Sequence, residues 1–290
     1  MEQIYKKYKG LLLSLAYQLT GSFSDAEDIV QDVFLKAYDG NPLGLAEAPQ
    51  AYLCKMVTNR CRDLHKSARK RKEQYFGEWL PEPVPTSDDE NFEMIARSEL
   101  LSYAMLVMLE RLSPAERAVF VLREALGFEY AGIAAIIDKN EANTRKLFSR
   151  AKAKMREAGN AAALPFTDEN AAWVRQFLNM LEQDRVDEVM AMLAQDVVLI
   201  SDGGGKVVSA VHPIVSRPFV SRFLLGIMRK SASDGVSSSF RVSEINGQIG
   251  ISIYSEQGIE AVTLFQIEGH LLRNIYLVRN PDKLKLFQSI

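Results

Sequence analysis

Few side chains of this chain are typed and spaced for covalent chemistry. Asp202, His212 and His270 are the obvious titratable candidates, since a carboxylate with a histidine is a common acid–base pairing. His212 directly precedes Pro213, however, and His270 follows Glu268-Gly269, so both suit structural or exposed positions. Cys54 and Cys61 stand seven residues apart on one expected helix. That is roughly 10 Å, too far for a disulfide, and no paired Cys/His spacing around them suggests a metal. Asp202-Gly203-Gly204-Gly205-Lys206 lacks the Walker spacing, which removes phosphate-loop chemistry. The string allows a tight turn with close backbone approach, or simply a β-turn between strands. No catalytic residue, cofactor or metal is expected, and the chain is read as a non-enzyme.

The chemistry that remains is polyanion binding. The formal net charge of −2 hides strong segregation. Lys55 to Glu73 carries eight Lys/Arg against two acids, Glu78 to Glu99 seven acids against one Arg, and Lys139 to Arg156 seven Lys/Arg against one Glu. Two basic blocks flanking an acidic linker suggest two separate polyanion contacts. Each run taken alone is equally a solvated helix face. In the second block, Leu147, Phe148, Ala151 and Met155 form a helical apolar stripe, leaving Asn143, Thr144, Arg145, Lys146, Ser149, Arg150 and Lys152 pointing away. Arg reads guanine bidentately, Asn reads adenine, and Lys, Ser and Thr hold phosphates.

The elements that must position these residues follow from punctuation and period. Ser24 and Glu27 have capping-box spacing and open a helix with Ala26, Ile29, Val30, Val33, Phe34 and Ala37 on one stripe. Its other face shows Asp25, Asp28, Gln31, Asp32 and an off-stripe Leu35, a solvated surface or a dock for a basic partner. Asn41 to Pro49 breaks the pattern. A helix containing Tyr52, Leu53, Met56, Val57, Arg60, Cys61 and Leu64 then runs into a basic tail. Three prolines within Pro81-Glu82-Pro83-Val84-Pro85 hold the next segment extended, and Trp79 and Leu80 inside it should be docked. A helix from Phe92 to Arg111 leads to a second capping box, Ser113-Pro114-Ala115-Glu116, with Gly127 as a C′ stop. A short helix (130–137), the break Asp138-Lys139-Asn140 and a basic helix from Glu141 to Ala158 make a helix-turn-helix. Asn is the residue expected to supply any positive φ in that turn.

Beyond Gly159 the pattern changes. Thr167 to Ala194 reads as helix. Strand runs follow at 197–201, 207–211, 238–245, 249–255, 259–267 and 271–278, interrupted by a helix at 218–230. Asn246-Gly247 and Glu268-Gly269 are hairpin signals. Helices followed by antiparallel strands argue for an α+β domain. No apolar stretch approaches the ~20 residues of a membrane span, and Met1 to Lys9 has no signal-peptide pattern, so a cytoplasmic protein without a membrane partner is expected.

Asp25-Ala26-Glu27-Asp28-Ile29-Val30-Gln31-Asp32-Val33-Phe34 resembles region two of sigma factors. Val57-Thr58-Asn59-Arg60-Cys61-Arg62-Asp63 resembles the start-proximal promoter reader of the extracytoplasmic-function class, and Leu112-Ser113-Pro114-Ala115-Glu116-Arg117 through Ser149-Arg150-Ala151-Lys152 resembles region four. Three further strings, Trp79-Leu80-Pro81-Glu82-Pro83, Asp202-Gly203-Gly204-Gly205-Lys206 and Asn280-Pro281-Asp282-Lys283-Leu284, resemble the subgroup with a SnoaL-like C-terminal extension, group 41 of that class. The resemblance implies a multidomain chain: helical region two over 1–75, an acidic linker over 76–91, a region four helix-turn-helix over 92–159 and a SnoaL-like α+β cone over 160–290. It implies that Asp28, Gln31, Asp32 and Leu35 dock the clamp helices of RNA polymerase β′, with the β flap as a second polymerase contact. Asn59, Arg60, Arg62, Asp63 and Lys66 would engage the melted promoter, residues 141–152 would read the upstream element, and the cone would stand in for a separate anti-sigma protein. The three strings would meet as a regulatory contact.

Two other readings stay open at this stage. One is a one-component helix-turn-helix regulator whose cone binds a small-molecule signal. The acidic helix and the first basic block argue against it, since a repressor needs neither. The other is a SnoaL-like cyclase or isomerase using Asp202, His212 or His270.

Overall fold

The computed structural model describes residues 2–39, 48–73, 75–86, 102–157, 165–233, 235 and 238–288. The chain divides into two compact units, one built from residues 1–74, 87–101 and 105–160, the other from 75–86, 102–104 and 161–290. The sequence break at Asn41 to Pro49, the first half of the expected helix from Phe92 to Arg111 and the end at Gly159 lie largely outside the described residues.

Among the described residues the first unit is helical. Helices α1 (Glu2–Thr20), α2 (Phe23–Asp39) and α3 (Pro49–Glu73) pack together. Their shared core holds Leu12, Leu15, Ala16, Leu19, Ala26, Ile29, Val33, Leu53, Cys54 and Val57. All six stripe residues of α2 are buried, as the 3.6-residue period requires. The helix starts one residue before the expected cap, and Asp25 N–H donates to Ser22 Oγ at 3.2 Å, so the capping role falls to Ser22 rather than Ser24.

Helix α4 (Tyr103–Leu109) precedes α5 (Pro114–Glu124), α6 (Tyr130–Ile137) and α7 (Glu141–Glu157). The box at Ser113 forms as expected, with Ser113 N–H donating to Glu116 at 2.9 Å and Pro114 at the first helical position. Burial pushes the Glu116 carboxyl upward, but hydrogen bonds from Lys154 and Ser113 outweigh it and hold the group below its ordinary value. Arg117 is 2% exposed and ties α5 to α1, donating to Gln18 O at 2.5 Å and to Glu110 at 2.6 Å.

The second unit carries α8 (Asp168–Glu182), α9 (Val186–Ala191), β1 (Leu193–Asp202), β2 (Ile214–Val215), α10 (Arg217–Ser233), β3 (Ser239–Ile245), β4 (Gln248–Ser255), β5 (Gly258–Glu268) and β6 (Leu271–Val278). The sheet order is β2-β1-β6-β5-β4-β3. One sheet face packs on α8, α9 and α10 through Val174, Phe177, Val189, Leu225, Ile251 and Phe265. The sheet is mixed rather than wholly antiparallel, because β1 runs parallel to β6. The expected strand at Val207 to Val211 is a loop, and Val208 is 87% exposed. The second hairpin turns on Gly269 and His270, both at positive φ, one residue later than Glu268-Gly269.

Candidate functional site

On α2, Asp28, Gln31 and Leu35 are exposed, with Leu35 at 57%. Asp32 is half-buried and accepts an ion pair from Arg60 of α3 at 2.8 Å. Beside Arg60, the Arg62 and Asp63 side chains are exposed, and Asn59 is half-buried. One expected polymerase residue, Asp32, and one expected promoter residue, Arg60, therefore meet where α2 packs on α3. Lys66 lies on α3, and its side chain falls outside the described residues.

The helix-turn-helix is α6, its turn and α7. Asp138, not Asn140, takes the left-handed backbone, at φ 54°. Asn140 instead accepts from Asn143 N–H at 2.8 Å and starts α7. Asn143, Arg145, Lys146, Ser149, Arg150 and Lys152 are exposed, as expected. Thr144 is not: it is fully buried and its hydroxyl donates to Asn140 O at 3.0 Å. Positions 144, 147, 148, 151 and 155 share one face at helical spacing, so Thr144 extends the inward stripe. Arg145 lies 4.3 Å over the Tyr130 ring and pairs with Glu141 at 2.6 Å. Lys55 of α3 reaches the turn, donating to Asp138 at 2.6 Å and to Ala135 O at 2.9 Å. The Lys55 ammonium beside Asp138 holds that carboxyl below its usual range.

In the second unit, the three unusual strings converge on Asp202, which is fully buried. Its Oδ2 accepts from Leu80 N–H at 2.9 Å and from Lys283 Nζ at 2.7 Å. Its Oδ1 accepts from the Tyr75 hydroxyl at 2.5 Å and from Gly204 N–H at 3.0 Å. Lys283 also donates to Leu80 O and lies 3.2 Å over the Trp79 ring. Leu80, Pro81, Glu82 and Pro83 are buried beside it. Asn280 donates to the Tyr75 hydroxyl at 2.8 Å, and Lys206 pairs with Asp282 at 2.6 Å. Burial, then the hydrogen bond to Asp202, pushes the Tyr75 phenol up. Gly204 has φ +61°, and a Cβ there would run into the Asn280 side chain, which explains a glycine at that position. Gly203, buried, and Gly205 complete the turn, and Pro281 and Leu284 frame the tail. His212 is exposed in a loop and His270 in the β5–β6 turn, so neither histidine meets Asp202. Among the described residues no group of three or more His, Cys, Asp or Glu is placed to hold a metal, and no helix is long and apolar enough to cross a membrane.

Residues 4–71 match the family model of sigma-70 region 2, and residues 102–155 that of sigma-70 region 4. The ECF RNA polymerase sigma factor SigJ of Mycobacterium tuberculosis is 32% identical over 282 residues, covering 94% of this chain and 89% of that protein. The chain belongs to the extracytoplasmic-function sigma factors. The probable sigma factor SigI of the same species is 26% identical over 82% of this chain and 91% of its own length. The crystal structure of SigJ of that species matches with a TM-score of 0.78 at 26% identity, over 98% of both chains. The helical regions followed by a SnoaL-like sheet domain are thus borne out. Membership does not favour a one-component regulator.

Several residues of this sigma factor that hold the sites in place escaped sequence reasoning. Lys55 counted only as one more cation of a basic block. Tyr75 read only as the last residue of region two. Tyr103 carries no motif, yet its N–H donates to Gln248 at 3.0 Å and its hydroxyl to Pro81 O at 2.6 Å. The linker end pairs with β3 at Pro85–Ile245, and Val84 N–H donates to Asn246 at 3.0 Å.

Proposed function

We propose that this sigma factor directs core RNA polymerase to specific promoters in the cytoplasm, and that its C-terminal domain modulates it in place of a separate anti-sigma protein. The exposed face of α7, with Asn143, Arg145, Lys146, Ser149, Arg150 and Lys152 behind a helix-turn-helix, is the observation that carries the reading. Phosphate contacts from α3 and α7 supply salt-dependent affinity, and base contacts supply promoter choice. Asn59, Arg60, Arg62, Asp63 and Lys66 engage the melted element. Releasing a base from its stack costs a few kcal/mol, offset by a protein pocket. Asp28, Gln31, Asp32 and Leu35 meet the β′ clamp helices, and region four meets the β flap. The proposed sequence domains run over 1–75, 76–91, 92–159 and 160–290, with residues 75–86 and 102–104 packed in the second unit.

Modulation rests on the Asp202 cluster, which fixes the segment leaving α3 through Tyr75 and Leu80. A small-molecule signal in the cone has less support, because Phe177 and Phe265 pack edge-to-face between α8 and the sheet. Gel filtration of the purified chain with core polymerase tests the first claim: the two should co-elute, and separate elution contradicts it. Removing residues 280–290 takes away Asn280 and Lys283 and should change transcript output, whereas unchanged output contradicts the modulation.

A further inference from the structure

A cleft of about 360 Å³ opens in the first unit between α3 and the helix-turn-helix. That size is in the range of small-molecule sites. Its floor is apolar, formed by Leu19, Cys61, Ala118 and Ile137. Its lining also includes the exposed cations Arg62 and Lys139, neither of which makes an ion pair among the described residues. Asp138, its one acid, pairs with Lys55 at 2.6 Å and also lies in the field of Arg62. Thr58 lines the cleft at 6% exposure, and its buried hydroxyl has no hydrogen-bond partner among the described residues.

We infer that this cleft binds a small organic anion with an apolar body, of the aromatic carboxylate or sulfonate class, its anionic group on Arg62 and Lys139. The floor takes the apolar body out of water. The two cations supply charge-assisted hydrogen bonds at the mouth. Because the walls come from both α3 and the α5–α7 region, an occupant favours the arrangement that joins them. An anion on Arg62 also competes with promoter DNA. That last consequence rests on the function proposed above, but the binding site does not.

The test uses the intact chain and 8-anilinonaphthalene-1-sulfonate as the probe, followed by fluorescence, with near-UV circular dichroism confirming a folded protein. A single saturable site is expected. Its neutral analogue N-phenyl-1-naphthylamine should bind about tenfold more weakly, the scale of one lost charge-assisted hydrogen bond. R62Q/K139Q should weaken the sulfonate to a similar degree, and A115L, which narrows the cleft, should abolish saturable binding. Equal binding of the neutral analogue, or wild-type affinity in R62Q/K139Q, overturns the assignment. Both substituted cations are exposed, so this arm stands even where A115L fails to fold.

Discussion

Arg60 Nη2 lies 2.8 Å from Asp32 Oδ2, joining α3 to α2 at the edge where polymerase and promoter contacts are proposed to meet. Both side chains are more than 40% exposed, so the pair itself contributes only about 0–1 kcal/mol to stability. Asp32→Arg should therefore weaken core polymerase binding by about tenfold or more, as a reversed charge at a contact does, with a small change in thermal midpoint. The swap D32R/R60D restores an intramolecular pair and should leave polymerase binding weak. Restoration of full affinity by the swap, measured by fluorescence anisotropy, would reduce Asp32 to a structural partner of Arg60.

The Asp202–Lys283 pair is of another kind. Its side chains are 0% and 7% exposed, and removing one partner strands a buried charge. Asp202→Asn or Lys283→Met should cost about 3–5 kcal/mol in the second unit, and the double variant less than the sum of the two. Urea unfolding checks this. Strict additivity would mean that the two groups do not act together.

Within α7, the outward and inward residues should separate cleanly. Lys146→Ala should lower the slope of log affinity against log salt by about one, as a lost phosphate contact does. Arg150→Ala should reduce promoter-specific binding by about 1–3 kcal/mol while leaving core polymerase binding intact. Thr144→Ala should leave the salt slope unchanged and lower only stability, since Thr144 is fully buried. Titrations of promoter DNA at several salt concentrations distinguish these outcomes, and a Thr144→Ala slope matching that of Lys146→Ala would refute the inward placement.

What was legible in the sequence was local. Ser113-Pro114-Ala115-Glu116 needs only its own four residues to form a capping box, and it does. The short helix Tyr130–Ile137 and the strand Leu271–Val278 fall where their patterns place them. The polar type of Thr144 suggests an outward position, but its spacing to Leu147, Phe148 and Ala151 places it inward, where it is fully buried. Val207 to Val211 is valine-rich like a strand, but a strand requires a partner, and β1 pairs with β2 and β6 instead. Contacts such as Lys55–Asp138 and Tyr75–Asp202, separated by 83 and 127 residues, leave no local trace. The meeting of the three unusual strings came from family resemblance; no spacing rule yields it.

The two cysteines give a pH-dependent check on the first unit. Burial pushes the Cys54 and Cys61 thiols from an ordinary value of 9.0 up to about 12. Near pH 8 (about one unit below the ordinary value) both should react slowly with a disulfide reagent until urea unfolds the chain. Their contribution to stability is complete below the unfolded value and is lost as pH rises through the folded one, because the unfolded thiols ionise first. Rapid stoichiometric labelling of the native protein would contradict their placement in the core.

The most direct measurement is the mapping of transcript 5′ ends after the intact chain is added to core RNA polymerase on genomic DNA. A defined set of start sites, absent with core enzyme alone and used less in Arg150→Ala, is the result expected of a promoter-reading sigma factor. Start sites identical to those of core enzyme alone would contradict the account.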